Sequence, residues 1–300
     1  MAILKKTIPA LFIAFIACFH CPAASAEDAV QEFRIGLIGA DPIQLLQDFD
    51  PLVEYLKSSL RSSGIRDVTF FVAKDLDQLR SRIQKRKLDF VLVSAFPIIE
   101  LERRQLVPAV VALQGGVREE TAVFFVREKS SLHHLGDLRG KIVAFGTPSS
   151  TAAYALAKVE LQKNKFSLVE WTDEHVPDDA VRYRFAGEAI NQAFRVIRHR
   201  ADAGVMSSSD WEGLPPKEQS RLRIIHRTAP VTRLFGSFHP SFPPALREVV
   251  EQALVDMSGN RKGRAALSRA LNMTAFERLT EEDRNSLQGL KQQLLEADKP

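Results

Sequence analysis

Short apolar runs alternate with helical stretches along this chain, and the alternation stops and restarts once. Phe33–Gly39, Val68–Ala73, Asp89–Ser94 and Val107–Leu113 read as strands. Between them, apolar residues recur at helical spacing. Asp50-Pro51 reads as one helix opening, an N-cap followed by a proline tolerated in the first turn, with Leu52, Val53, Leu56 and Leu60 on one face. Asp75 reads as the cap of the next helix, whose Leu76, Leu79 and Ile83 point inward. A third helix is expected from Phe96 to Arg104. Strands separated by helices of this kind imply βαβ units, and the unbroken apolar run after Asp89 suits a strand covered on both faces.

The pattern restarts after Gly115. Thr121–Arg127, Lys141–Gly146, Phe166–Trp171 and Ala203–Met206 read as strands. Helices are expected at about 152–162 and 186–199, and a short helical turn at Leu135–Gly140. Leu214-Pro-Pro216 marks a break, and Leu222–His226 reads as a last strand before helices at about 242–256, 262–271 and 276–296. Trp171, Trp211, Phe235 and Phe238 read as core or hinge packing. The expected fold class is α/β with two lobes, each a mixed or mostly parallel sheet flanked by helices. Lobe one would take 27–118 and 216–300, and lobe two 119–215. A ligand between two such lobes meets the carboxyl ends of the strands, where open sheets bind ligands.

The first 26 residues read as an address. Lys5 and Lys6 precede an apolar run from Ile8 to Phe19 that is short for a span of about 20 residues. Ala24-Ser25-Ala26 then supplies a small-x-small cleavage site, which completes a secretory signal peptide. Ile16-Ala17-Cys18 leaves a lipoprotein reading open, although Phe15 fits it badly. Cleavage after Ala26 removes both cysteines, Cys18 and Cys21, and lowers the formal charge from +4 to +2. A thiol-free mature chain suits an oxidising compartment, so a periplasmic or secreted protein is expected.

Composition narrows the chemistry. A net charge of +4 over 300 residues is too balanced for a protein held mainly by nucleic-acid phosphates. The run of Arg80, Arg82, Lys85, Arg86 and Lys87 reads as a solvated helix face. Arg182, Arg184, Arg195, Arg198 and Arg200 read the same way, with one of them available to neutralise an anion. No mature cysteine, no H-E-x-x-H and no G-x-S-x-G occurs, so neither an enzyme nucleophile nor a metal-ligand set is visible. No cofactor, no metal and no enzymatic activity are expected.

One segment has a specific chemical reading. Phe145-Gly-Thr-Pro-Ser-Ser-Thr151 follows a strand and starts a helix. The first turn of a helix leaves N–H groups without intrahelical partners, and the dipole adds partial positive charge there. The hydroxyls of Ser149, Ser150 and Thr151 add donors beside them, and Gly146 permits close backbone approach. The segment reads either as a plain capped helix or as a site for a compact oxyanion. Three hydroxyls in succession exceed what one cap needs.

Asp137-Leu-Arg-Gly-Lys-Ile-Val-Ala-Phe-Gly-Thr-Pro-Ser-Ser-Thr-Ala-Ala-Tyr154 resembles a segment of the phosphate/phosphite/phosphonate-type substrate-binding proteins of ABC transporters. Val123–Arg127 resembles their crossover strand, and Leu88–Pro97 their strand-to-helix turn. Asp50–Leu56 resembles their first helix, and Arg200–Ser207 a later strand. The resemblance runs in order from Phe33 to His226. It implies a two-lobed periplasmic binding protein, expected to be a monomer, that closes on a small oxyanion and delivers it to an ABC permease. A ligand-sensing module of the same fold, signalling to a membrane kinase, is the alternative. By position, Ser150 and Thr151 match the family's anion-binding hydroxyl pair, flanked by Ser149 and Tyr154. Ser94 and Ala95 match its lobe-one turn. Three departures bear on the ligand: Ile98 stands where aminophosphonate binders have an aromatic residue, Ser207 stands where they have an aspartate, and no histidine lies between Gly187 and Arg198, in the helix where they usually have one. Ser207–Ser209 read either as anion donors or as a helix cap.

Overall fold

The computed structural model describes residues 31–101, 106–171 and 177–297. The signal-peptide and lipoprotein readings, with Cys18 and Cys21, lie outside the described residues. So does Arg104, the expected end of the third helix.

The chain first runs β1 (Glu32–Ile38), α1 (Pro42–Leu60), β2 (Asp67–Ala73), α2 (Leu76–Gln84), β3 (Phe90–Ser94), α3 (Ala95–Leu101) and β4 (Val107–Gln114). A two-residue strand, β5 (Glu119–Glu120), leads to a second series. That series is β6 (Ala122–Arg127), β7 (Ile142–Phe145), a π-helical turn (Thr151–Leu156) continuing into α4 (Ala157–Lys163), and then β8 (Leu168–Glu170) and β9 (Val181–Phe185). It ends with α5 (Ala189–Ile197), β10 (Ala203–Ser207), α6 (Ser208–Glu212), α7 (Pro216–Gln219) and β11 (Leu222–Arg227). The chain returns through β12 (Val231–Thr232), adds β13 (Leu234–Phe238), α8 (Pro244–Val255), α9 (Arg261–Arg269) and β14 (Met273–Arg278), and closes with α10 (Glu281–Ala297).

The strands form two six-stranded sheets, ordered β14-β4-β13-β3-β1-β2 and β11-β6-β10-β7-β9-β8. In the first, β1 is parallel to β2 and β3, while β13 runs antiparallel between β3 and β4. In the second, β10, β7, β9 and β8 are mutually parallel, and β6 runs antiparallel between β10 and β11. This is the mixed α/β architecture expected from the alternation.

Several details differ from the expectation. The first helix opens at Asp41-Pro42, not Asp50-Pro51. The Asp41 carboxylate accepts from Gln44 N at 3.1 Å and Pro42 takes the first turn, which leaves Pro51 inside the helix. Leu222–Arg227 is not a last strand after a return to the first sheet. It pairs with β6, so the return crossing follows Arg227. The expectation also omits β9, β13 and β14. Residues 273–278, expected partly as helix, extend the first sheet beside β4, with Phe276 buried. Omitting β13 matters most because it fills the middle of that sheet. There Gly236 passes so near Phe90 and Val110 that an added Cβ would lie 2.3 Å and 2.6 Å from them. Trp211, Phe235 and Phe238 are buried, as expected of core residues.

The two sheets are joined where β5 and β12 pair antiparallel, Glu120 opposite Val231 and Glu119 opposite Thr232. Polar groups lock this ribbon to α10. Asp283, only 1% exposed, accepts from Arg118 Nε at 2.9 Å, from Thr232 Oγ1 at 3.0 Å and from Thr280 N at 2.8 Å. Thr232 N donates to Ser286 Oγ at 3.0 Å. Leu287, Leu290 and Leu294 of α10 then join one apolar cluster with Leu101 of α3 and Val159 and Leu161 of α4.

Burial alone would raise the Asp283 carboxyl, but Arg118 and the Thr280 amide and hydroxyl outweigh it and hold it at about 2. Replacing Asp283 with alanine leaves the Arg118 guanidinium paired with Glu277, and the Thr232 hydroxyl and Thr280 amide without their acceptor, so stability in urea denaturation should fall by about 1–3 kcal/mol. The folded value lies below the unfolded value of about 3.9. The contribution is therefore complete above about pH 4 and is lost as pH falls toward 2. Wild type should lose stability across that window more steeply than Asp283→Asn.

Candidate functional site

The carboxyl ends of β1, β2 and β3 face the segments that follow β7, β9 and β10 across a cavity of about 750 Å³. The wall from the second sheet includes Thr147–Thr151, Glu188, Ser207 and Asp210, and the opposite wall includes Ile38–Ala40, Lys74–Asp77 and Ser94. Glu120 and Arg233, from the ribbon and its exit, close the hinge end. The sequence therefore brings to one cavity the strand-end turns where backbone amides and capping side chains converge.

The turn at 147–151 is built tightly. Gly146 N donates to Ala153 O at 3.0 Å, and an added Cβ at Gly146 would lie 2.7 Å from the Ala153 methyl. Glycine is required there by the approach of strand end to helix. Ala155 N bonds Ser150 O at 3.1 Å, an i→i−5 bond. A π turn of this kind supplies no intrahelical acceptor to the amides of Thr151, Ala152, Ala153 and Tyr154. Ser150 Oγ accepts from Ala153 N at 3.0 Å and so caps the turn.

The three hydroxyls have distinct partners. Thr151 Oγ1 accepts from Phe96 N at 2.9 Å, a bond from the second-sheet wall to the first turn of α3. Ser149 Oγ lies 3.4 Å from Thr147 Oγ1. Because a hydroxyl that accepts still carries a donor, Ser150 and Thr151 each keep an O–H to direct.

Ser94, Ser149, Ser150, Thr151 and Ser207 thus come together around the cavity. Ala95 and Tyr154 do not line it. Ala95 is 1% exposed inside α3. Tyr154 packs among Phe96, Phe145, Tyr183 and Phe185 with ring centroids 5.1–6.3 Å apart. The wide π turn advances fewer degrees per residue than an α turn, so three residues past Thr151 the side chain has left the cavity face. Ser207 reaches the cavity as a helix cap: its Oγ accepts from Asp210 N at 3.0 Å and lies 3.0 Å from Ser209 Oγ. Ile98 is buried, away from the lining. Arg182 and Arg184 lie over the Trp171 ring at 5.9 Å and 4.0 Å rather than at the cavity.

The charged lining is the part the sequence reading missed. Asp75, Asp77, Glu120, Glu188 and Asp210 face the same space as Lys74 and Arg233. Glu120 is 6% exposed, its Oε2 is 3.7 Å from Arg233 Nε, and its Oε1 is buried with no hydrogen-bond partner among the described residues. Burial pushes its carboxyl up, Arg233 pulls it down and Asp210 adds a smaller push upward, which leaves it at about 7. The only signal in the sequence was a charged pair, Glu119-Glu120, at the restart of the alternation. Among the described residues no cluster of three or more His, Cys, Asp or Glu side chains is arranged to hold a metal ion. No described helix is long and apolar enough to cross a membrane.

Two sheets joined by a ribbon, with polar strand ends meeting over a cavity, define a solute-binding architecture. Residues 38–284 match the model of the family described as ABC transporter, phosphonate, periplasmic substrate-binding protein. The chain belongs to that family. Among solved structures, XAC2383 from Xanthomonas citri bound to chloride ion is similar at 29% identity and TM-score 0.85, over 89% of this chain and 98% of that one. The same protein bound to ATP gives 28% identity and TM-score 0.83 over the same shares, 89% and 98%. PhnD1 from Prochlorococcus marinus in complex with methylphosphonate shares the fold at 15% identity and TM-score 0.68, over 88% of this chain and 98% of that one.

Thr151→Val removes the acceptor of the Phe96 amide at nearly constant volume. An unpaired buried donor costs about 1–3 kcal/mol, so chemical denaturation should show a loss of that size. Thr151→Ser should recover most of it.

Proposed function

We propose that this chain is an exported receptor that captures a phosphorus oxyanion, of the phosphate, phosphite or phosphonate class, and hands it to an ABC permease. One observation carries the reading. The Ser149–Thr151 turn, whose π geometry leaves the Thr151, Ala152 and Tyr154 amides with neither an intrahelical acceptor nor the Ser150 cap, lines a cavity between the strand ends of two sheets. Amides and hydroxyls at a helix start suit an anion with several oxygens. The relatives support this chemistry: one holds methylphosphonate, and the other is seen with chloride and with ATP. A cavity of about 750 Å³ leaves room for an organic group on the phosphorus.

In this reading lobe one begins after cleavage at Ala26 and runs to about 118. Lobe two follows, and the chain returns to lobe one after β11. The exported chain acts as a monomer. Ligand docks on the 149–151 turn and gains Ser94 and the α2 start from the facing wall as the lobes close about the β5–β12 ribbon. Binding then shifts an open–closed equilibrium, and the permease reads the closed form. The lead over a sensing role rests on family membership, since the family consists of transporter components.

A thermal-shift panel with phosphate, phosphite, methylphosphonate, 2-aminoethylphosphonate, ATP and sulfate tests the ligand class. A binder of the folded state must raise the melting temperature. Ser149→Ala removes a hydroxyl that caps nothing. Each charge-assisted hydrogen bond is worth about 1.5–3 kcal/mol, so that variant should bind at least roughly tenfold more weakly by titration calorimetry. If no phosphorus oxyanion shifts the melting temperature even at millimolar excess, the reading fails.

A further inference from the structure

The ribbon that joins the two sheets also delivers a carboxyl group to the cavity, and no hydrogen bond within the fold uses all of it. Glu120 sits on β5 opposite Val231, is 6% exposed, and lines the hinge end of the cavity. Its Oε2 faces Arg233 Nε at 3.7 Å, too long for a hydrogen bond. Its Oε1 is buried and unpartnered among the described residues. An ionised carboxylate would present two acceptor oxygens here with no donor on one of them. A protonated carboxyl leaves a neutral oxygen there and carries one O–H, and because the Glu120 side chain lines an oxyanion cavity, that O–H has an acceptor once an anion is bound.

We propose that Glu120 contacts the bound solute as a proton donor, its carboxyl O–H hydrogen-bonding an oxygen of the anion held at the Ser149–Thr151 turn, so that capture takes up a proton. This rests on the oxyanion reading above. The charged groups around Glu120 are Arg233 beyond β12 and Asp210 in the first turn of α6. Lys74, Asp75 and Asp77 of the α2 start and Glu188 before α5 share the cavity. Burial and the negative charge of Asp210 favour the protonated form, Arg233 opposes it, and the balance lies at about 7. An incoming anion adds negative charge on the same side and raises the carboxyl further. The folded, liganded state therefore binds more protons than the free one, and affinity must fall as pH rises.

The same contact discriminates between solutes. An anion that offers an acceptor oxygen to the hinge is favoured, whereas an ammonium group placed there would need the ionised carboxylate. Glu120 is thus assigned as a specificity-determining residue rather than a structural acid.

Titration calorimetry of the full mature chain with methylphosphonate and with inorganic phosphate, in buffers of different ionisation enthalpy, counts the protons taken up. Wild type should take up about half a proton per ligand near pH 7 beyond that exchanged by Glu120→Gln. Above that pH its affinity should fall by up to roughly tenfold per unit more steeply than the variant's. The side-chain amide introduced by Glu120→Gln offers an N–H at every pH, so that variant should keep the low-pH affinity. In the ligand-free protein, the infrared band of a protonated carboxyl present at acid pH should fade through neutrality and be missing from Glu120→Gln. That arm needs no ligand and no binding-competent variant. Equal proton uptake by wild type and Glu120→Gln overturns this assignment while leaving the oxyanion reading intact. So does affinity for 2-aminoethylphosphonate that rises with pH and is abolished by Glu120→Gln. Failure of phosphate, phosphite, methylphosphonate and 2-aminoethylphosphonate alike to bind wild type overturns the oxyanion reading, and this assignment with it.

Discussion

The Asp283 carboxylate is the point on which the rest of the architecture turns. It gathers Arg118 from the outgoing crossing, Thr232 from the returning one, and Thr280 from the start of α10. Two strands of two residues each would be weak by themselves. Fixing both to one buried carboxylate gives the β5–β12 ribbon a defined geometry, and that geometry sets how the two sheets present their strand ends to each other. The leucines of α10 extend the tie by packing against α3 on one side and α4 on the other.

The cavity combines two electrostatic elements that a charge count would set against each other. Its wall carries more carboxylates than cations, yet the 149–151 turn presents amides and hydroxyls. The conflict is resolved by range and direction. Amides at a helix start act within hydrogen-bond distance and point along the axis, while exposed carboxylates such as Asp210 are screened by water. On the proposed reading, net lining charge would work less on whether an anion binds than on which one. It disfavours a second negative group near Asp75, Asp77 or Glu188, and leaves Lys74 and Arg233 as the places where additional negative charge is tolerated.

Much of this was legible in the residues. Alternation with a restart after Gly115 pointed to the two-sheet class, and Gly146 followed by three hydroxyls marked the wall where the cavity forms. Asp75 was correctly read as a cap, accepting from Gln78 N at 2.8 Å. Local rules failed where tertiary contacts decide. Two aspartate-proline pairs compete for the start of α1, and only the bond from Gln44 N to Asp41 distinguishes them. Leu234–Phe238, with a glycine at its centre, has little strand propensity by itself. It is a strand because β3 and β4 lie on either side of it. Tyr154 follows the hydroxyls in sequence but leaves the cavity because the helix opens with a π turn. The carboxylates of the lining come from widely separated parts of the chain, so no local spacing reveals them.

Placing Glu120 on the ribbon has a mechanical consequence. A side chain on either lobe would move with that lobe when the cleft shuts, whereas one on the crossing moves least with respect to both. On the proposed reading, an anion seated at Thr147–Thr151 would approach or leave Glu120 as the second sheet swings, so the carboxyl contact would form only at a particular closure angle. Arg233, one residue past β12, stands on the other crossing and brackets the same point. On that reading the ligand is registered at the crossing itself: the groups proposed to meet the anion, Glu120 and Arg233, belong to the segments that join the two sheets. Backbone pairing of Glu120 with Val231 fixes the register of the two crossings. On the proposed reading, closure would depend on the chemistry of the solute at its ribbon-facing end, and not only on the grip of the two walls.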